Sequence, residues 1–378
     1  MQICGIIVEY NPLTNGHLYH ISKAKELTGA DVLIAVMSGN FTQRGEPAIV
    51  DKWQRSRAAV LNGVDLVFEL PFAFACESAD YFAKGAIAML KALGAQTIVF
   101  GTETLEKADF EQLYQDSKTA AYQTRLQELL KQGCSFPQAA SQAFENQNIS
   151  CPNDLLGFAY VKEIARQKAD INYLTIHRQT DYHSQEITSA SASALRKALK
   201  EGKRIEAFSP MRIEGPLHDI EELYEPLYQR LSFAKPEELS QIHLMNEGLE
   251  YRMIEKITDS TDMTSFLNLV TTRRYTTPRV LRTIIHLLIN DTSQERANEE
   301  IGYLRLLGAS IKGQQALRAL KKQCPLPIIS TFAEISHPHL TLELAAAKLY
   351  ALALPPEERR AAIMQEYSHP PFIQKNHQ

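Results

Sequence analysis

His17 and His20 follow Asn15-Gly16, and Thr14 stands three residues ahead of the first histidine. Residues three apart share one face of a helix. Imidazoles at a helix start, beside unsatisfied backbone N–H groups and the positive end of the dipole, suit an anion such as a phosphate. Two histidines at this spacing also suit a metal, but no nearby Cys or His completes a zinc set. An ordinary loop with a surface histidine is the plainer alternative. A second anion-binding pattern lies in Ser189-Ala190-Ser191-Ala192-Ser193-Ala194-Leu195-Arg196. Small residues at a helix start expose backbone N–H groups, Ser191 and Ser193 add hydroxyls, and Arg196 adds charge. Its plainer reading is a serine N-cap before an amphipathic helix. Neither a Walker A motif nor G-x-G-x-x-G occurs, which argues against P-loop and dinucleotide redox readings.

The elements that must position these groups are legible from pattern. Ile3 to Val8 is an apolar, Ile/Val-rich run that predicts a buried parallel strand. Asn11-Pro12 ends it, and Asn15-Gly16 lets the backbone turn and approach a ligand. A helix is expected from His17 through Ala24, with Ile21, Ala24 and Leu27 inward. Further strands are expected at Val32–Val36, Val64–Leu70, Gln96–Phe100 and Ile171–Ile176, alternating with helices. This is a doubly wound α/β pattern, whose ligands bind at the carboxyl edge of the sheet. Three features fall at that edge: Arg44 in the polar loop Asn40–Pro47, Gly101 after the fourth strand, and His177-Arg178-Gln179 after the fifth. Asn153 reads as the N-cap of the following helix. Residues 106–147 look like an inserted helical pair. Lys52 and Arg55 point one way from a helix beginning at Asp51, at least as readily into solvent as toward a ligand.

The chain has 378 residues, enough for about two domains. With 44% hydrophobic and 22% charged residues it is ordinary globular material. A net charge of −4 means that any polyanion surface must be a local patch. The five cysteines are scattered and lack a C-x-x-C pair, which predicts a reducing cytosol with neither disulfides nor structural zinc. No signal peptide and no membrane-spanning apolar run is expected. From about residue 205 helical patterns dominate. Residues 219–250 are acidic, whereas 263–290 contain no acidic residue and hold Arg273, Arg274, Tyr275, Arg279 and Arg282. Thr277-Pro278 reads as a helix start, after which Arg279, Arg282 and His286 share a face. Interleaved Arg and Tyr suit phosphate contact and base stacking, and a solvated basic face is the plainer reading.

Thr14-Asn15-Gly16-His17 resembles the T/H-x-G-H signature of the nucleotidylyltransferase superfamily. With Glu9-Tyr10-Asn11-Pro12 before it and His20 after it, the string is similar to the bacterial tRNA(Met) cytidine acetate ligase family. Ser189–Arg196 resembles the second superfamily signature, I-S-S-T-x-I/L-R. Ala190 and Ala192 replace an Ile and a Ser there, leaving one hydroxyl fewer. The resemblance extends over most of the chain and is densest before residue 200.

It implies a nucleotidylyltransferase-like catalytic domain over residues 1–204 and a mostly helical, tRNA-binding domain over 205–378. The implied enzyme activates acetate with ATP as acetyl-adenylate and passes the acetyl group to N4 of the wobble cytidine of elongator tRNA(Met). By resemblance, Thr14, His17 and His20 are catalytic. ATP contacts are implied for Ile7, Val8, Glu9, Tyr10, Asn11, Pro12, Leu13, Thr14, Asn15, Gly16, His17, His20, Gly101, Asn153, Arg178, Gln179, Ser191, Ser193 and Arg196. Arg273, Arg274, Tyr275, Arg279 and Arg282 are assigned to tRNA. ATP and acetate are the expected substrates, Mg²⁺ accompanies the triphosphate, no protein metal ligand is named, and a cytoplasmic location follows. A nucleotidylyltransferase acting on a cofactor or small metabolite, and a non-enzymatic RNA-binding protein, are the competing readings.

Overall fold

The computed structural model describes residues 1–144, 149, 151–177, 191–292 and 300–375. Arg178 and Gln179, for which the resemblance implies ATP contacts, lie outside the described residues, as do Ser189 and Ala190.

Five strands are parallel: β1 (Ile3–Val8), β2 (Val32–Ser38), β3 (Leu66–Leu70), β4 (Thr97–Thr102) and β5 (Asn172–His177). β2 and β3 are buried at every position and β1 at nearly every one. Continuous apolar runs of this kind require both faces of the sheet to be covered. The helices that cover them are α1 (Asn15–Thr28), α2 (Lys52–Leu61), α3 (Phe72–Ala75), α4 (Ala79–Ala92), α5 (Lys107–Asp116), α6 (Ala120–Lys131), α7 (Phe136–Gln142), α8 (Pro152–Arg166) and α9 (Ala192–Lys200). The described residues of 106–147 thus hold three helices where a pair was expected. The strand order is β5-β4-β1-β2-β3. The chain steps outward from β1 to β3, then returns to the other side of β1 for β4. The crevice of such a sheet opens at that reversal, beyond the carboxyl ends of β1 and β4.

The second half continues with α10 (Tyr224–Ser232), α11 (Pro236–Leu239), α12 (Leu249–Ile257), α13 (Met263–Val270) and α14 (Thr277–Leu288). It then departs from the helical expectation. β6 (Leu304–Ala309) pairs antiparallel with β3, and β7 (Ile328–Ile329) and β8 (Phe372–Ile373) pair parallel with β6. Between them run α15 (Ile311–Gln323), α16 (Pro338–Tyr350) and α17 (Pro356–Ser368). Residues 1–204 and 205–378 therefore share one sheet. They share an apolar core as well, where Phe41, Phe72 and Cys76 pack with Leu227, Phe266 and Ile284. No described helix is long and apolar enough to cross a membrane.

A charged cluster explains why β6 was obscure. Arg305 interrupts its apolar run yet is fully buried. Its guanidinium lies 3.0 Å from Glu69 on β3 and also pairs with Glu366 on α17. Lys52 reaches Glu69 at 2.7 Å and Glu366 at 2.8 Å, so the expectation of a solvated Lys52 is corrected. Two buried cations thus face two buried carboxylates, the pairing that makes buried charge tolerable. Glu343 joins them, accepting from the Phe72 N–H, and burial pushes its carboxyl up to about 8. Arg55 is equally buried. It donates to the carbonyls of Val50 (3.1 Å), Glu9 (2.8 Å) and Ser38 (2.9 Å), and to that of Gly39. It faces no solvent. It staples the carboxyl ends of β1 and β2 together, which builds the floor of the crevice.

Candidate active site

Thr14 caps α1. Its Oγ1 accepts from the His17 N–H at 3.3 Å, and its own N–H donates to His17 Nδ1 at 3.0 Å. This is a capping box in which a histidine fills the place usually taken by Glu or Gln. The second bond sets the chemistry. A nitrogen that accepts from a backbone N–H has no proton, so the ring is neutral and its proton is on Nε2. Tyr10 packs edge-on against the ring, with centroids 5.2 Å apart. His20 is used differently: its Nε2 donates to the Val99 carbonyl at 3.0 Å, tying α1 to β4. Asn15 is anchored as well, through its N–H to Phe208 O (2.9 Å) and its Nδ2 to Ala207 O (3.0 Å). A Cβ at Gly16 would meet only Thr14 Oγ1, at 3.5 Å, so no packing demands glycine there.

A cavity of about 780 Å³ opens at this helix start. Ile7, Val8, Glu9, Tyr10, Asn11, Thr14, Asn15, Gly16, His17 and His20 line it, with Gly101, Asn153, Ser191, Ser193 and Arg196 from later elements. Pro12 and Leu13 do not line it; Leu13 is buried in the core beneath. Ser191 caps α9, accepting from the Ala194 N–H at 3.1 Å. The serine cap of the plainer reading is therefore present, at a helix start that lines the cavity. Arg196 donates to Asn11 O at 2.9 Å and contacts Glu46 at 3.3 Å, which locks α9 onto the turn before α1. Asn153, expected as the cap of α8, sits instead at its second position, because Cys151 takes the cap position, and the Asn153 N–H donates to Glu103 at 3.0 Å.

Sequence reasoning missed part of the wall. Phe136, Phe144, Leu155, Leu156 and Phe158 from α7, α8 and the segment between them form an apolar flank. Its one local signal was the exposed Phe136-Pro137 pair. Glu9 lies on the floor, accepting from the Gln43 N–H at 2.7 Å, and burial raises its carboxyl pKa. Glu46 and Asp80 are held by Arg196 and Lys162.

A neutral histidine donor at a helix start, beside a sheet's topological reversal and facing a serine–arginine helix start, is nucleotide-transfer geometry. The HIGH Nucleotidyl Transferase family model matches residues 1–365. The tRNA(Met) cytidine acetate ligase of Geobacillus sp. (strain WCH70) is 39% identical, over 99% of this chain and 100% of that protein. The enzyme of the same name from Bacillus subtilis (strain 168) is 37% identical, over 98% of this chain and 97% of its own length. The chain belongs to the tRNA(Met) cytidine acetate ligase family. Crystal structures of Thermotoga maritima TmcAL agree. The apo form superposes with a TM-score of 0.90 at 29% identity, covering 99% of each chain. The form bound with alpha-thio ATP gives 0.89 at 30% identity, covering 99% of this chain and 100% of that one.

In this ligase-family chain the basic segment is less free than its sequence suggests. Arg274 and Arg279 reach Glu247 at 3.2 and 2.9 Å, and the Tyr275 hydroxyl donates to the Glu247 carbonyl. Arg273 contacts Cys134 Sγ at 3.2 Å. Thr276 caps α14, one residue before the expected start, and Pro278 takes the second helical position. Arg282 lines the cavity with His17 and Arg196. Among the described residues two donor clusters span no more than 4.8 Å: Glu77, His243 and His286, and Glu103, Cys151 and Asp154. Their donors serve the fold. Glu77 pairs with His243, His286 bridges Asp291 (2.7 Å) and Cys76 O (3.0 Å), and Asp154 accepts from Glu103 N (2.8 Å) and Thr104 N (3.0 Å).

Proposed function

We propose that this protein is an ATP-dependent ligase that acetylates N4 of the wobble cytidine of elongator tRNA(Met), acting in the cytoplasm. The observation that carries the reading is the His17 ring, fixed by the Thr14 N–H as the tautomer with its proton on Nε2, in the wall of the cavity. In the first step an acetate oxygen attacks the α-phosphorus of ATP and the bond to pyrophosphate breaks, leaving acetyl-adenylate. His17 Nε2–H donates to the α-phosphate as charge develops there, and the N-terminus of α1 adds its dipole. Ser193, Arg196 and the N-terminus of α9 hold the departing pyrophosphate. Gly101 and Asn153 lie on the adenosine side, where the apolar flank suits a flat base. Little covalent help is needed; positioning and charge stabilisation suffice.

In the second step the cytidine N4 attacks the acetyl carbon, the bond to AMP breaks, and the amine loses a proton. Among the lining carboxylates Glu9 has no salt bridge within the described residues, and burial raises its pKa, which suits it to take that proton. With Glu46 and Asp80 engaged, Mg²⁺ would ride on the phosphates with its own waters, and no step here is routed through it.

The test is acetate-dependent exchange of labelled pyrophosphate into ATP, run beside assay of N4-acetylcytidine in tRNA. Exchange without tRNA, and acetylation only when ATP, acetate and tRNA(Met) are all present, are the expected results. Exchange that ignores acetate would return the protein to small-metabolite nucleotidyl transfer, and no turnover at all would leave an RNA-binding protein.

A further inference from the structure

Arg282 differs from the other arginines of its segment because it leaves the surface for the cavity. A guanidinium offers five N–H donors. Here Nη1 donates to the Gln43 carbonyl at 3.2 Å, and the buried Nε has no partner among the described residues. No salt bridge to Arg282 occurs among those residues, and Glu77, the nearby acid, is paired with His243. Burial works against its charge. A charge removed from water with its donors unused is costly unless an anion arrives to meet it.

The placement is firmly built. Gln43 is held at both ends, by its N–H to Glu9 (2.7 Å) and its Nε2 to the Glu77 carbonyl (2.7 Å). Gly45 has φ +82, and a Cβ there would lie 2.5 Å from the Arg282 nitrogen. Glycine thus lets the loop 40–47 press directly on the α14 backbone, which aims Arg282 along the cavity wall. Thr276 and Pro278 from the same helix start line the cavity too.

We infer that Arg282 receives a phosphodiester of the RNA beside the target nucleotide, where the strand enters the cleft. The inference rests on the functional reading above and deepens it. In the reading above, the triphosphate already has two helix starts and Arg196 among the cavity's lining. Arg279 and Arg282 lie three residues apart, on one face of α14. A strand following that face passes from the exposed end, with Arg273 and Arg274, into the cleft within about one turn. Arg282 is a positioning residue: it brings the base to the acyl group and does not itself touch the reacting atoms.

The test uses the full chain with Arg282→Gln and Arg282→Lys, assayed for tRNA acetylation at saturating ATP and titrated separately with ATP. Arg282→Gln is expected to raise the tRNA concentration for half-maximal acetylation by about tenfold or more, the worth of a charge-assisted hydrogen bond. It should flatten the salt dependence of tRNA binding by roughly one unit while ATP titrates as in wild type. Arg282→Lys should recover part of the loss. The ATP titration shows that the variants are folded. A parallel loss of ATP affinity would assign Arg282 to the nucleotide and overturn the inference. Acetylation equal to an active wild type would overturn it alone, while a wild type that acetylates no tRNA would overturn the functional reading with it.

Discussion

The starts of α1 and α14 make an instructive pair. Both follow a threonine cap and both were marked by sequence as anion sites. At α1 the contacts that fix the His17 ring are local: Thr14 and His17 satisfy each other within one turn. At α14 the decisive contacts come from far along the chain. Glu247 neutralises Arg274 and Arg279 from outside the acid-free stretch, and Gln43 holds Arg282. A motif whose geometry closes on itself can be read from sequence. A charge pattern cannot, because its potential depends on which distant side chains fold against it.

The largest expected effect tests the local site. His17→Ala should lower acetate-dependent pyrophosphate exchange on the order of 10²-fold or more, as removal of a pre-aimed donor to developing charge does. tRNA affinity should change little. Exchange at wild-type rate would show the capping-box histidine to be purely structural and collapse the contrast with α14.

Arg196→Ala comes next. It should weaken ATP by about tenfold and AMP much less, because AMP has no pyrophosphate to hold. The structure adds a second possible result. Arg196 also fastens Asn11 O, so equal losses for ATP and AMP in calorimetric titration would mean that it mainly braces the turn before α1.

Thr14→Ala should act more mildly. The backbone N–H that fixes His17 Nδ1 remains, while the side-chain cap is lost, at a cost of about 1 kcal/mol in unfolding free energy. Exchange should fall only a few-fold. A loss as large as that of His17→Ala would mean that the hydroxyl itself meets the nucleotide.

These contrasts show what was legible. The five parallel strands, the crevice at the sheet reversal and the Thr14–His17 constellation follow from apolar runs, turn residues and a short motif. β6 escaped because Arg305 breaks its apolar pattern, and its ion pairs with Glu69 and Glu366 make that arginine buriable. Lys52 misled for the same reason: its partners are 17 and 314 residues away. His20 lines the cavity with His17, as their spacing suggests, and its Nε2 also ties α1 to Val99 on β4, a contact that spacing along one helix does not show. Each miss is a polar group whose partner belongs to another element.

The smallest effect tests the distant side of the comparison. Glu247 is 40% exposed, and its pairs with Arg274 and Arg279 are surface pairs of the kind worth about 0–1 kcal/mol. Their importance lies in field, not in stability. Glu247→Gln removes one negative charge and releases two arginines, so tRNA binding should tighten a few-fold and its salt slope steepen by roughly one. Arg279→Ala should do the reverse, flattening the slope by about one. Thermal stability should hardly move in either variant. The check is tRNA binding across a salt series for both proteins and wild type. If the slopes do not separate, with Glu247→Gln above wild type and Arg279→Ala below it, the α14 start lies off the RNA path. The arginines there would then be a solvated face balanced by Glu247, and the Arg282 phosphate would have to enter the cleft from another side.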